Sequence, residues 1–356
     1  MKIWIDLRFL ENDNLYSIFA FSVVKELIKS KKHEVVIYSN EEFDEDMWES
    51  KIEIVQEKIG SLWENFALIS KFRKEKFDLM FFFNEYKPLS YKDDYILLLP
   101  SLQRLFFGPY KNSLVKHYYL KLLSSNLKNA KKIICFDKQT ESDLNERFNI
   151  EEDKIEIIKG FFPLKKWEIK ETNINIKDKY KINGDYIIYD SLESSIKNLD
   201  KVLLSIKKMK DDKKILNLLV LWDDACKNLE FRKMVLDYEI SDLVFFVWEV
   251  EEAEKINYYK QSVWLVYPNI YDNFPFELND ALIYETPMIV SDIEAIKETT
   301  LWELEYFNAL SNMDTLEALN TFLKKKKNPN YNKILNSNSP EKYVASLLEI
   351  IDKRLD

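Results

Sequence analysis

Two carboxylates separated by seven residues, Asp272 and Asp280, are the groups in this chain best spaced to act together. They lie in the stretch PNIYDNFPFELNDALIYETPMIV, residues 268–290. Pro268 and Asn273 punctuate a loop. Leu278, Ala281 and Leu282 follow helical spacing, and Met288, Ile289 and Val290 read as a short buried strand. A loop that feeds a helix N-terminus aims backbone N–H groups and the positive end of the helix dipole at one point, where anions such as phosphates bind. Asp272 belongs to the loop before that point, and Asp280 lies about two turns further on. Taken alone, the pair reads as a loop turn residue and an exposed helix acid; its surroundings decide.

Those surroundings alternate strand and helix along the chain. Residues 2–10 (KIWIDLRFL) read as a strand running into a loop, Phe19–Ser30 as a helix and HEVVIYS, residues 33–39, as a second strand. Strand, helix, strand within so short a span is a βαβ unit and implies a parallel sheet. Further strands are expected near Ile52–Val55, Leu79–Phe83, Tyr95–Leu99, Lys132–Phe136 and Ile155–Ile158. Helices fall over Leu114–Leu127 and Ser142–Phe148. Residues 162–182 are polar, lysine-rich and broken by Pro163, as a linker is. The alternation restarts at Tyr186–Tyr189. It continues through helix Leu199–Met209, strand Leu216–Leu221, helix Asn228–Leu236, strand Leu243–Val247, helix Glu251–Gln261 and strand Trp264–Tyr267. Ser339-Pro340-Glu341 starts a last helix, with serine as N-cap and proline at the first helical position. Uninterrupted apolar strands among amphipathic helices indicate doubly wound α/β sheets. The expected divisions are 1–165, 166–338 and a terminal helix, 339–356.

Composition narrows the function. At 356 residues the chain suits two domains. Hydrophobic residues at 46% and charged ones at 32% describe a soluble globular protein. The opening residues enter a strand rather than a leader, and no apolar run is long enough for a membrane span. Two separated cysteines, Cys135 and Cys226, read as reduced core residues of a cytoplasmic protein. With only His33 and His117, histidine metal sites and Ser/His hydrolysis are disfavoured. A net charge of −9 argues against nucleic acid as a partner. The lysine-rich helix within 111–132 leaves room for peripheral membrane contact, although a helix packed on a sheet with lysines facing water explains it better. Glycine numbers 4, where average usage of about 7% gives roughly 25. A glycine-built phosphate loop, and with it a nicotinamide dehydrogenase, is therefore not expected.

The 268–290 stretch resembles the C-terminal signature of the family 4 glycosyltransferases, which have the GT-B fold. That signature runs Pro-Ser-x-x-Glu-Gly-Phe-Gly, then four residues to a second Glu-Ala, then Gly-Thr-Pro-Val-Ile. In gap-free register Asp272 takes the first glutamate's place, Phe274 the phenylalanine's and Asp280 the second glutamate's; Ala281 and Thr286-Pro287 match. Asn273 and Pro275 replace the loop glycines. YIIYDSLESSIKNL, residues 186–199, is similar to the family's first strand and loop of the nucleotide-binding half. Lys197 keeps the family's lysine, while Ser191 and Asp190 stand where it carries arginine and glycine. The family's histidine segment corresponds to Leu97–Leu102, without histidine, and residues 11–17 replace its glycine-rich loop and bring carboxylates toward the cleft. Trp4, Trp222, Trp248 and Trp302 fall at family glycines; either the codon UGA is read as glycine in the source or these are true substitutions.

The resemblance implies two Rossmann-like domains facing an interdomain cleft, with the terminal helix crossing back onto the first. It implies a retaining transfer of sugar from a UDP- or GDP-sugar to a glycan or lipid-linked acceptor, without metal or cofactor. It gives Asp272 the catalytic place, with the Asn273–Phe274 N–H groups holding the hexose. It gives Asp280 the ribose hydroxyls, Lys197 and the Ser191 position the diphosphate, and backbone near Val250 the base. In such enzymes the leaving phosphate oxygen takes the acceptor's proton, so no protein base is needed. The missing histidine, arginine and glycines support a second reading, a silent GT-B protein that binds sugar nucleotides or scaffolds an active transferase. Glu277, in the helix's first turn, is expected to repel a diphosphate.

Overall fold

The computed structural model describes residues 1–7, 15–39, 55–56, 77–83, 87–88, 91–107, 113–163, 173–190, 196–221, 229–248, 250–322 and 329–353. Its residues divide into two units, Met1–Pro163 with Asn338–Asp356, and Leu164–Ser337. The fold is α/β in both, on two parallel sheets flanked by helices.

The first unit carries β1 (Lys2–Asp6), β2 (Glu34–Ser39), β3 (Val55–Gln56), β4 (Leu79–Phe82), β5 (Tyr95–Leu98), β6 (Lys132–Cys135) and β7 (Ile155–Ile157) in the order β3-β2-β1-β4-β5-β6-β7. Among the described residues its strands pair in parallel, for instance Trp4 with Val36 and with Met80. Parallel strands covered on both faces need near-continuous apolar sequence, and β4 (LMFF) and β5 (YILL) are buried throughout. Trp4 lies at the centre of this core, fully buried among Val36, Tyr38, Met80 and Phe82.

The helices of this unit are α1 (Leu15–Ser30), α2 (Gln103–Phe107), α3 (Ser113–Asn129) and α4 (Lys138–Phe148). Two of them begin earlier than the sequence suggested. Leu15, Tyr16 and Ser17 open α1 rather than extending a loop, and residues 8–14 lie outside the described residues. The α4 helix starts at Lys138 because Asp137 caps it, accepting from the Thr140 backbone N at 2.9 Å and from its Oγ1 at 2.8 Å.

The second unit carries β8 (Tyr186–Asp190), β9 (Asn217–Leu221), β10 (Val244–Val247), β11 (Leu265–Tyr267), β12 (Met288–Ser291) and β13 (Glu305–Phe307) in the order β10-β9-β8-β11-β12-β13. The order reverses between β8 and β11, which pair at Ile188 and Leu265. In open parallel sheets ligands bind beyond the strands' carboxyl ends at such a reversal. The helices are α5 (Ile176–Tyr180), α6 (Leu199–Asp211), α7 (Leu229–Asp237), α8 (Glu252–Gln261), α9 (Asn279–Ile283), α10 (Glu294–Thr299), α11 (Asn312–Phe322) and α12 (Tyr331–Leu335). Residues 176–180, read as linker, are helical, because Asn175 caps them by accepting from the Asp178 backbone N at 3.2 Å. Buried Leu199, Val202, Leu203, Ile206 and Met209 form the inner stripe of α6, each such side chain contributing about 1.5–3 kcal/mol.

The last helix, α13 (Pro340–Asp352), belongs to the first unit. Ser339 caps it by accepting from the Lys342 backbone N at 3.3 Å. Tyr343, Val344, Leu347, Leu348 and Ile351 are buried. The Tyr343 ring meets Phe19 of α1 edge-on at 5.2 Å. Among the described residues no helix is long and apolar enough to cross a membrane.

Leu301 and Trp302 both adopt left-handed backbone, with φ of 54° and 59°. They close the end of α10, where the Trp302 backbone N donates to the Lys297 carbonyl at 2.9 Å. Left-handed backbone costs an ordinary L-residue roughly 1–2 kcal/mol. Trp302 bears that cost with its indole largely exposed.

Candidate functional site

The chain between β11 and β12 supplies the site's first half. Residues 268–275 form a loop, Phe276–Leu278 a 3₁₀ turn and α9 a single short helix. The expected longer helix is thus two short pieces, and Asp280 sits in the first turn of α9. The loop is tied to its neighbour, since the Ile270 backbone N donates to the Ile196 carbonyl at 2.8 Å. Asn198, in left-handed backbone at φ 49°, reaches from the start of α6 to the carbonyls of Pro268 and Ala309 at 3.1 and 3.0 Å. Asparagine tolerates that backbone better than most residues, and its amide satisfies two carbonyls that would otherwise lack these donors.

Asp272 is buried and held from two sides. Tyr267, the last residue of β11, donates its hydroxyl to the Asp272 carboxylate at 2.5 Å, and Asn269 donates its amide at 3.1 Å. The Tyr267 hydroxyl also lies 3.0 Å from Glu277. Glu277 in turn binds Lys197 Nζ at 2.8 Å, and that ammonium stands 5.4 Å from the centre of the Tyr267 ring. Lys197 is almost fully buried. Glu277, expected from sequence to repel a diphosphate from the helix's first turn, is paired with the Lys197 ammonium. Burial raises the cost of ionising Glu277, but Lys197 outweighs it and holds this carboxyl below its ordinary range. Burial, with the Glu277 charge, pushes Asp272 up to about 6.

A second cluster lies at the end of β8. Asp190, its last residue, is buried and accepts the Tyr259 hydroxyl. Lys255, one turn before Tyr259 on α8, is ion-paired with Asp280 and lies 3.9 Å from Asp190. Burial raises the Asp190 pKa, opposed chiefly by Lys255; the charges of Asp280 and Glu277 add to the rise. The two clusters thus feel each other, and both stand where the strand order of the sheet reverses.

Of the residues singled out from sequence, Lys197 and Asp272 meet through Glu277 and Tyr267, while Asp280 belongs to the Asp190 cluster. The Asn273 and Phe274 side chains are buried within the loop, Phe274 against Phe276 at 4.5 Å between ring centres. Their contribution to a ligand is therefore limited to backbone. Val250 follows β10 and is half-buried, with β9 lying between that strand and β8. Ser191 lies outside the described residues, as do Trp222 and Cys226.

Tyr267, Asn269, Tyr259 and Lys255 were not recognised from sequence. The signal for the last two was present, because residues spaced four apart share one helix face. Tyr267 was hidden by its place in an apolar strand, where its ring reads as core.

Residues 170–330 match the family model described as glycosyl transferases group 1. Over 190 residues the chain is 25% identical to the O-antigen chain mannosyltransferase RfbU of Salmonella typhimurium, covering 53% of this chain and 50% of that protein. The chain thus spans about half the length of the curated relative it matches. A glycosyltransferase from Rickettsia africae superposes with a TM-score of 0.69 at 14% identity, over 100% of this chain and 98% of its own. Anabaena HepE, solved with UDP-glucose, superposes with a TM-score of 0.69 at 10% identity, over 100% and 99%. At such identities these structures speak to fold alone. Residues 170–330 are therefore similar to group 1 glycosyl transferases, in a chain of GT-B fold.

Proposed function

We propose that this protein is a family 4-like retaining glycosyltransferase that moves a sugar from a UDP- or GDP-sugar to a glycan or lipid-linked acceptor. One observation carries the reading: two carboxylate–lysine clusters stand together beyond the carboxyl ends of β8 and β11, where the strand order reverses. In this reading Asp280 accepts hydrogen bonds from the ribose hydroxyls. Asp272 and the backbone N–H groups of Asn273 and Phe274 hold the hexose. Lys197 neutralises the diphosphate as it leaves, a role in which a preorganised cation contributes most in the transition state. The departing phosphate oxygen takes the acceptor's proton, and the reaction requires no metal. Backbone near Val250 and the Ser191 position complete the base and diphosphate contacts.

An O-antigen-type glycan suits the acceptor, given RfbU. Exposed Leu114 and Tyr118 on lysine-bearing α3 suit peripheral contact with the inner face of a membrane. Hydrolysis and transfer assays with a panel of radiolabelled UDP- and GDP-sugars test the assignment: turnover that Asp272→Ala and Lys197→Ala each abolish is the expected result.

A second reading is supported by the pairing itself, because Lys197 and Lys255 are both already neutralised by acids. On that reading the chain binds a sugar nucleotide, or scaffolds an active transferase, without turnover. Calorimetric binding of UDP-sugars or GDP-sugars with no product formed is its signature.

A further inference from the structure

Lys255 has no counterpart among the residues that the sequence motifs single out, yet it occupies the centre of the second cluster. Resting on the donor-site reading above, we propose that Lys255 is the site's second phosphate-binding cation. Its ammonium exchanges the Asp280 carboxylate for a phosphate oxygen when a nucleoside diphosphate or its sugar ester binds.

Geometry carries the argument. The ammonium is paired with Asp280 and lies 3.9 Å from Asp190, on a side chain only 15% exposed. One turn on, Tyr259 donates its hydroxyl to the same Asp190. α8 therefore places a cation and a hydroxyl together against the end of β8. Charge accounting points the same way. The two clusters contain four carboxyl groups, Asp190, Asp272, Glu277 and Asp280, and two ammonium groups, Lys197 and Lys255. Burial raises the pKa of Asp190 and of Asp272, and the acids of the two clusters outnumber their ammonium groups by two. A diphosphate entering an arrangement with more acids than ammonium groups needs cationic partners. With Lys197 alone the site would carry net negative charge before the ligand arrived. Exchange at Lys255 also releases Asp280, and a carboxylate so released accepts hydrogen bonds from ribose hydroxyls. A single movement thus readies both a phosphate contact and a sugar contact.

The test is calorimetric titration of the full chain with UDP and with GDP, beside saturation-transfer NMR with uridine and guanosine. Lys255→Met keeps the apolar stem and removes the charge. It should weaken the better nucleotide about 10- to 100-fold while nucleoside binding is no weaker than in the wild type, and Lys255→Arg should recover most of the loss. Asp280→Asn, which releases Lys255 without removing it, should tighten binding of inorganic diphosphate. Equal nucleotide affinity in Lys255→Met and wild type overturns the proposal, as does an equal loss of nucleoside and nucleotide. Wild-type protein that binds neither UDP nor GDP overturns the donor-site reading itself.

Discussion

The two acid–lysine clusters use similar parts in different settings. At the end of β11, Asp272 and Glu277 share the Tyr267 hydroxyl, and Lys197 is anchored next to a left-handed residue whose amide ties two loops together. At the end of β8, Asp190 and Asp280 flank Lys255, which rides on a helix rather than a loop. The first cluster is locked through a hydroxyl common to both acids. The second is joined mainly by one ammonium.

Breaking each cluster separately should expose the difference. The largest effect is expected from Lys197→Met, which should lower turnover about 10²- to 10³-fold, more than it weakens nucleotide binding, since a cation aimed at the leaving diphosphate matters most in the transition state; single-turnover assays read it. Asp280→Asn should do the reverse, weakening UDP or GDP about 10- to 100-fold with turnover at saturation largely kept. Equal effects of both variants on both quantities would erase the distinction.

Protonation offers a third test. The folded-state pKa of Asp272, at about 6, lies above the ordinary 3.8, so the folded chain binds more protons than the unfolded one between those values. This group therefore costs stability as pH rises from about 4 to 6. Asp272→Asn removes that cost. Its stability relative to wild type should improve between pH 4 and pH 7 by about 2 kcal/mol, measured by urea unfolding at each pH.

Tyr267→Phe deletes a hydroxyl that serves two acids and should destabilise the fold by about 1.5–3 kcal/mol. Tyr259→Phe, which deletes a hydroxyl with one acid partner, should cost less in the same measurement. A control remote from both clusters is Trp302→Gly. It should leave nucleotide affinity unchanged and raise stability by about 1 kcal/mol through relief of left-handed backbone.

Much of the architecture was legible because parallel strands buried on both faces read as continuous apolar runs, and Ser339-Pro340 announced a helix start through a local hydrogen bond. Two parts were not. The α5 helix is short and polar, held by a single asparagine cap. The segment from α10 to α12 lacks a long periodic run, so neither its helices nor β13 stood out. The site was legible only where it follows chain order. Asp272, Asp280 and Lys197 could be placed by motif spacing. Lys255 becomes visible only when strand order brings α8 beside the end of β8, and the pairing of Glu277 was hidden because its partner lies on another loop.

The placement of α13 has a practical consequence for dissecting the protein. Since the final helix completes the hydrophobic core of the opening unit, that unit is discontinuous in sequence, whereas residues 164–337 run without interruption. Truncation at the carboxyl terminus should therefore injure the half of the molecule encoded first, stripping Phe19 of its Tyr343 neighbour. The uninterrupted half should be obtainable as one excised fragment, and its mirror experiment should require both ends of the gene.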